Sequence, residues 1–212
     1  MTPMSSSPSS APEPEDAKIA LRTSLRKARL HRSERRIAEH AESFRDRVLA
    51  IPTVGGASCV SVYASRPHEP GTGPLISALH DRGVEVLIPV LGDGLQRGWG
   101  HYHGIDDLIE RSPGRPPEPS GPFLPFEELG RADVVVVPAL AVDTSGTRLG
   151  QGGGWYDRAL PLAKAGAAFI ALVYDSELFD ASEQPLPREA HDVGVHAVVT
   201  PGAVTHLRSS VS

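Results

Sequence analysis

Residues 134–158 read VVVVPALAVDTSGTRLGQGGGWYDR. Four consecutive valines make a run that is apolar on both faces, the pattern of a central strand buried in a parallel sheet. The strand reading ends at Pro138. A polar loop follows, and Gly150, Gly152, Gly153 and Gly154 run directly into a helix that the pattern places over residues 155–165. In an open parallel sheet, ligands bind beyond the carboxyl ends of the strands. Glycines let backbone N–H groups approach an anion, and a helix N-terminus adds partial positive charge. Arg148 stands just before the glycines, with a guanidinium fork suited to phosphate oxygens. Gly153 is expected to use the positive φ open to glycine and to lie on the backbone path to the anion. The stretch is therefore a candidate phosphate loop. It is not a Walker A sequence, because no Gly-Lys-Ser/Thr follows, and the G-x-G-x-x-G dinucleotide spacing is missing. A flexible connector is the alternative reading of the glycines alone.

Outward from this stretch, helix and strand alternate. Residues 17–50 carry Leu21, Leu25 and Ala28, then Ile37, Ala41, Phe44 and Val48, at helical spacing. Ser33 can cap a second helix starting at Glu34, so two helices or one kinked helix fit. This region holds ten Lys/Arg and four Asp/Glu, a net charge of +6. Residues 57–63 read as a buried strand. A helix is expected over 74–80, with Thr72 as cap and Gly83 as stop, and a strand over 84–90. Residues 92–122 are mostly loop, with a short strand near 99–102. Strands follow over 168–174 and 197–200. Such alternation implies βαβ units: an α/β fold of three layers, with a mostly parallel sheet between helices and an N-terminal helical arm. Residues 1–16, MTPMSSSPSSAPEPED, are too polar and too rich in Ser and Pro to offset their ordering entropy, so a disordered tail is expected there and one domain over 17–212.

The chain has 212 residues, enough for one sizeable core. Its net charge of −5 lacks the basic signature of a nucleic-acid binder. The single cysteine, Cys59, reads as a small buried hydrophobe on a strand, and a chain that cannot form an internal disulfide suits a reducing cytosol. No apolar run approaches a membrane span, and the first residues lack a secretory pattern, so a soluble cytoplasmic protein, expected to be a monomer, is the reading. The nine histidines show no zinc spacing, His101-Tyr102-His103 being an isolated H-x-H, and no nucleophile elbow is present.

The stretch from Asp143 to Arg158, DTSGTRLGQGGGWYDR, resembles the signature of the 5-formyltetrahydrofolate cyclo-ligase family. Lys18 and Arg22 resemble that family's N-terminal K-x-x-x-R helix. Ser61-Val62-Tyr63 followed by Glu69 resembles its first strand and acidic folate loop, and His191-Asp192 with Val198-Val199-Thr200 its C-terminal element. The likeness runs in order over about residues 17–200.

The resemblance implies ATP-dependent conversion of 5-formyltetrahydrofolate to 5,10-methenyltetrahydrofolate through a phosphorylated formyl group, with Mg²⁺ as cofactor. It implies an ATP site of Lys18, Arg22, Arg148, Leu149, Gly150, Gln151, Gly152, Gly153, Gly154, Trp155, Tyr156 and Asp157. Arg148 would be catalytic, Tyr63, Glu69, Trp155 and Tyr156 would meet the folate, and Asp157 and Asp192 would hold the metal. Lys18 and Arg22, being i and i+4, share a helix face. Three positions depart from the family pattern: Trp155 for the usual Tyr, Glu177 for Gln, and His196 for a second acid. Two other readings stay open: a sugar-phosphate isomerase or CoA-transferase-like enzyme, and a folate- or nucleotide-binding module without turnover.

Overall fold

The computed structural model describes residues 14–207. The expected tail falls outside them except at its end, where the first helix already begins. That helix, α1 (Pro14–Arg29), starts on a proline, whose missing N–H costs nothing in a first turn, and continues with Glu15 and Asp16. The break before α2 (Glu34–Leu49) falls at Ser33, whose hydroxyl accepts the Arg36 N–H, so two helices form.

The chain continues through a single turn, α3 (Pro52–Gly55), then β1 (Cys59–Val62), α4 (Gly73–Asp81), β2 (Glu85–Leu91) and β3 (Arg97–His101). The glycine- and proline-rich excursion holds short 3₁₀ turns at Asp93–Leu95 and Ile105–Asp107 and the small ladder of β4 (Leu108–Ile109) and β5 (Glu118–Pro119). After β6 (Val134–Pro138) come β7 (Ala141–Asp143), β8 (Arg148–Leu149), α5 (Trp155–Ala159), β9 (Ala168–Leu172), β10 (Leu178–Phe179), β11 (Ala197–Val199) and β12 (Val204–His206).

The main sheet has the order β12-β11-β9-β6-β1-β2-β3. Its inner strands are parallel, and β3 and β12 close the two edges antiparallel. The valine strand β6 takes the middle, with Val134 to Val137 all fully buried. Each such side chain contributes up to about 1.5–3 kcal/mol. From β1 the chain winds outward to β2 and β3, then returns to build the other half from β6. Right-handed crossovers therefore put α4 and α5 on opposite faces, and the order reverses between β1 and β6. That reversal is where an open sheet of this kind leaves a crevice beyond its carboxyl ends. Cys59 lies buried on β1, where burial pushes its thiol up to about 12, consistent with a packing role.

Three elements differ from expectation. The helix expected over 155–165 stops after five residues, because Pro161 cannot donate to the carbonyl of Asp157; a 3₁₀ turn over Leu160–Leu162 continues it. The strand near 99–102 is longer, Arg97–His101, and pairs with Leu87–Leu91 of β2. A second sheet, β10-β7-β8, was not expected, since two- and three-residue strands carry no readable period. Around it Leu25 of α1 packs with Leu140, Ala141, Leu149 and Leu186 as a small core separate from the main one. Of the helical arm, α1 is thus seated beside the glycine loop, while α2 packs Phe44 and Val48 into the main core.

Candidate active site

Asp143 builds the hairpin that carries Arg148. Its Oδ1 accepts the N–H groups of Ser145 and Thr147 at 3.0 and 3.1 Å and the Ser145 hydroxyl at 2.6 Å. Its Oδ2 accepts the Leu186 N–H at 2.9 Å. This is an Asx turn closed by a buried carboxylate, and it fixes the register in which β7 pairs with β8. Arg148 leaves β8 buried, and its Nη2 donates to Asp157 Oδ1 on the first turn of α5 at 2.6 Å.

The arm supplies the opposite wall. Lys18 is 4% exposed, and its Nζ donates to Glu189 Oε2 at 2.6 Å and to Asp192 Oδ2 at 2.7 Å. Burial works against the ammonium, but the hydrogen bonds and attraction of the two carboxylates outweigh it and raise its pKa. Burial likewise opposes charge on Asp192, yet Lys18 and the Glu189 N–H hold its carboxyl below the usual range. One turn on, Arg22 donates to the Gly150 carbonyl at 3.2 Å and to Glu15 at 2.8 Å.

A cavity of about 250 Å³ opens between these walls, lined by Lys18, Arg22, residues 148–157 and Asp192. Every residue expected to bind ATP or metal lies on it. A second cavity of about 170 Å³, mostly apolar, is lined by Tyr63, Glu69, Val90, Leu91, Trp155 and Tyr156. The two share Pro138, Gln151, Trp155 and Tyr156 as a common wall. Neither alone reaches the size usual for a ligand the size of a drug, but joined they do. They lie beyond β1 and β6, at the strand-order reversal.

Three polar atoms around the common wall are buried without a partner among the described residues: Arg148 Nε, Trp155 Nε1 and Tyr156 Oη. Buried polar groups are nearly always paired, so three orphans together mark a place for ligand atoms. Gln151 bridges the walls. Its Oε1 accepts from Arg26 Nε at 3.3 Å, and its Nε2 donates to Glu69 Oε1 at 2.8 Å. Glu69 also accepts the Arg66 N–H at Oε2, 2.9 Å, which leaves that oxygen room for another donor. Tyr63 presents only its ring, because its hydroxyl donates to the Pro70 carbonyl at 2.8 Å.

Asp157 Oδ2, Asp192 Oδ1 and Glu189 Oε1 accept no hydrogen bond among the described residues, and all three side chains line the polar cavity. Lys18, not an open space, sits between Glu189 and Asp192. The donors therefore fit a Mg²⁺ that arrives on phosphate oxygens and takes one or two carboxylates, rather than a closed protein cage.

Several expectations need correction. Positive φ occurs at Gly152 (+94°) and Gly154 (+60°), not at Gly153, where an added Cβ would meet nothing within 4 Å. Gly152→Ala should cost about 1–3 kcal/mol, whereas Gly153→Ala should stay within about 0.5 kcal/mol, as read by urea denaturation. Equal losses at both positions would overturn the assignment. With only five residues, α5 offers little macrodipole, so anion binding has to rest on the side-chain cations and the loop. His196 is not at the site: its Nδ1 accepts the Phe169 N–H at 2.8 Å and its ring stacks on Phe169. Glu177 also lies off both cavities, buried against Arg29. Sequence reasoning missed Asp143 and Glu189. The D-T-S-G string was a readable turn signal for the first, but nothing local marks the second.

The Lys18–Asp192 contact makes the docking of α1 depend on pH. Because the folded pKa of Asp192 is depressed, its contribution is whole above the ordinary Asp value of about 3.9 and is lost as pH falls through the lower folded value. Lys18, with its pKa raised, contributes fully below about 10.4 and loses this as pH rises through its folded value. Asp192→Asn should therefore melt below the parent at pH 7, and the gap should close as pH falls below the ordinary Asp value. A gap independent of pH would overturn the ionic account.

A model of the 5-formyltetrahydrofolate cyclo-ligase family matches residues 14–201. A 5-formyltetrahydrofolate cyclo-ligase of Mycolicibacterium smegmatis is 40% identical over 190 residues, covering 87% of this chain and 94% of that protein. The Escherichia coli K12 protein of the same name is 34% identical over 164 residues, covering 74% and 86%. The NMR structure of Aquifex aeolicus 5,10-methenyltetrahydrofolate synthetase superposes with a TM-score of 0.75 at 27% identity, covering 92% of this chain and 95% of its own. With a match across nearly all of its described length, this chain belongs to the 5-formyltetrahydrofolate cyclo-ligase family.

Proposed function

We propose that the chain is an ATP-dependent 5-formyltetrahydrofolate cyclo-ligase, with the triphosphate in the polar cavity and the reduced folate in the apolar one. The observation that carries this reading is the shared wall of Gln151, Trp155 and Tyr156, with three unpartnered polar atoms at it. A reaction that moves a phosphoryl group onto a formylated ring system needs these two kinds of surface side by side.

The formyl oxygen of 5-formyltetrahydrofolate takes the γ-phosphoryl group, and ADP leaves. N10 then attacks the activated formyl carbon, inorganic phosphate departs, and 5,10-methenyltetrahydrofolate remains. Arg148 directs charge at the transferring phosphoryl group, where preorganised donors contribute most. Lys18 and Arg22 grip the outer phosphates from the arm, and residues 149–154 provide the backbone cradle. Glu69, held by Arg66 and Gln151, accepts hydrogen bonds from the pterin amino and ring N–H groups. Trp155 offers a face to the ring, and its replacement of a tyrosine keeps that face while losing a hydroxyl. Asp157 and Asp192 would hold Mg²⁺, which supplies charge neutralisation on the phosphates when bound.

The positions that favour a module without turnover, Glu177 and His196, lie outside both cavities, so they give no reason to doubt catalysis. The test is purified chain with MgATP and 5-formyltetrahydrofolate, following methenyltetrahydrofolate absorbance and ADP together. Binding of both ligands without ADP release would leave only the module reading, and no binding would sink both.

A further inference from the structure

The polar cavity is not a cationic one. Lys18, Arg22 and Arg148 are its fixed cations, and four acids, Glu15, Asp157, Glu189 and Asp192, line it with them. Each cation already has an acid: Arg22 holds Glu15 at 2.8 Å, Arg148 holds Asp157 at 2.6 Å, and Lys18 holds Glu189 and Asp192 at 2.6 and 2.7 Å. Among the side chains that line it, the four acids outnumber these three cations. A bare triphosphate that reaches Lys18 meets the carboxylates of Glu189 and Asp192 there and is repelled by them.

The two acids on Lys18 are not equivalent. The Asp192 side chain is 13% exposed, and its Oδ2 also accepts the Glu189 N–H at 2.7 Å. That bond ties Asp192 to its own loop. The Glu189 side chain is 37% exposed, and its carboxylate makes one hydrogen bond among the described residues, the one to Lys18. Of the two, Glu189 is the partner that an incoming phosphate oxygen can displace with the smaller loss.

We infer that Glu189 is a positioning and selectivity residue: it holds the phosphate's place on Lys18 and makes the site discriminate against nucleotide that arrives without a divalent cation. The inference rests on the ATP reading above. Before binding, Glu189 keeps the Lys18 ammonium paired and aimed into the cavity. After displacement its carboxylate remains on the cavity wall. There it repels a metal-free triphosphate, while a cation on the phosphates offsets that repulsion. The need for a metal would then come partly from the protein's own charge and not only from the chemistry on the phosphates.

The experiment is calorimetric titration of ATP into the full chain, in EDTA and again with excess Mg²⁺, for the parent, Glu189→Gln, Glu189→Ser and Glu189→Asp. Both neutral variants should bind metal-free ATP about 5- to 10-fold tighter than the parent, a modest gain because the carboxylate is partly solvated. Their gain with Mg²⁺ should be smaller. Glu189→Asp, which keeps the charge, should behave like the parent. Unchanged or weaker metal-free binding in the neutral variants, with melting temperatures like the parent's, would overturn the inference and leave Glu189 as a plain tether for the arm. If the parent binds no ATP even with Mg²⁺, the nucleotide reading fails first and this one falls with it.

Discussion

Arg148→Ala is expected to lower ATP-dependent turnover by about 10²- to 10³-fold, the usual cost of removing a preorganised donor from a charge-developing centre. The side chain is buried, so water cannot replace it readily. It is delivered by a hairpin whose turn is closed on Asp143, so its position is set before any ligand arrives. Its Nε has no partner among the described residues, which leaves a donor edge for phosphate oxygen. Arg148→Lys should recover little, because a point charge cannot replace both the Asp157 contact and the free edge of the fork. Steady-state kinetics with each substrate varied is the check. The loss should fall on kcat and on the KM for ATP, with the KM for the folate changed least. A parent-like KM for ATP with reduced kcat would restrict Arg148 to the transition state, and parent-like values of both would remove it from the site.

Glu177→Ala should destabilise the fold by about 3–5 kcal/mol, the typical cost of leaving a buried charge without its partner. Glu177 takes Arg29 Nε at 2.9 Å and Nη2 at 2.7 Å, with both side chains almost fully buried. Arg29 also reaches the Ala139 carbonyl, and Glu177 the Tyr174 N–H, so the pair pins α1 to the loops following β6 and β9. Burial opposes charge on Arg29, but Glu177 outweighs it and raises the Arg29 pKa. The double variant Arg29→Met with Glu177→Leu should regain much of the stability, because matched apolar groups avoid the desolvation of both ions. Chemical denaturation of the parent and these two variants decides this. A loss below about 1 kcal/mol for Glu177→Ala would mean that the arm is held by its apolar face alone.

How much of this was legible differs element by element. Val134 to Val137 could only be a buried central strand, since four adjacent β-branched apolar residues suit no surface and no amphipathic helix. The glycine run after Arg148 marked the loop, because that density of glycine is costly unless the backbone itself is used. Ser33 placed the helix break, and Lys18 with Arg22 placed two cations on one face of the arm. These are local properties, governed by period, propensity and capping, and the chain alone determines them. The positive φ at Gly152 rather than Gly153 was not local: it depends on how the hairpin and α5 are joined.

Tertiary structure decided the rest. Glu177 and Arg29 are 148 residues apart, and Lys18 and Asp192 174 apart, so no window of sequence could pair them. His196 stood near Asp192 in sequence yet turns to Phe169, because its N–H and its Nδ1 both bond the Phe169 backbone on β9. Glu189 reads as an ordinary surface acid until α1 brings Lys18 against it. Period and propensity thus settled which segments become helix and strand and where the cradle lies. Which charge meets which across the cavity was left to the packing of the arm, since ion pairing acts through space and leaves no period in the chain.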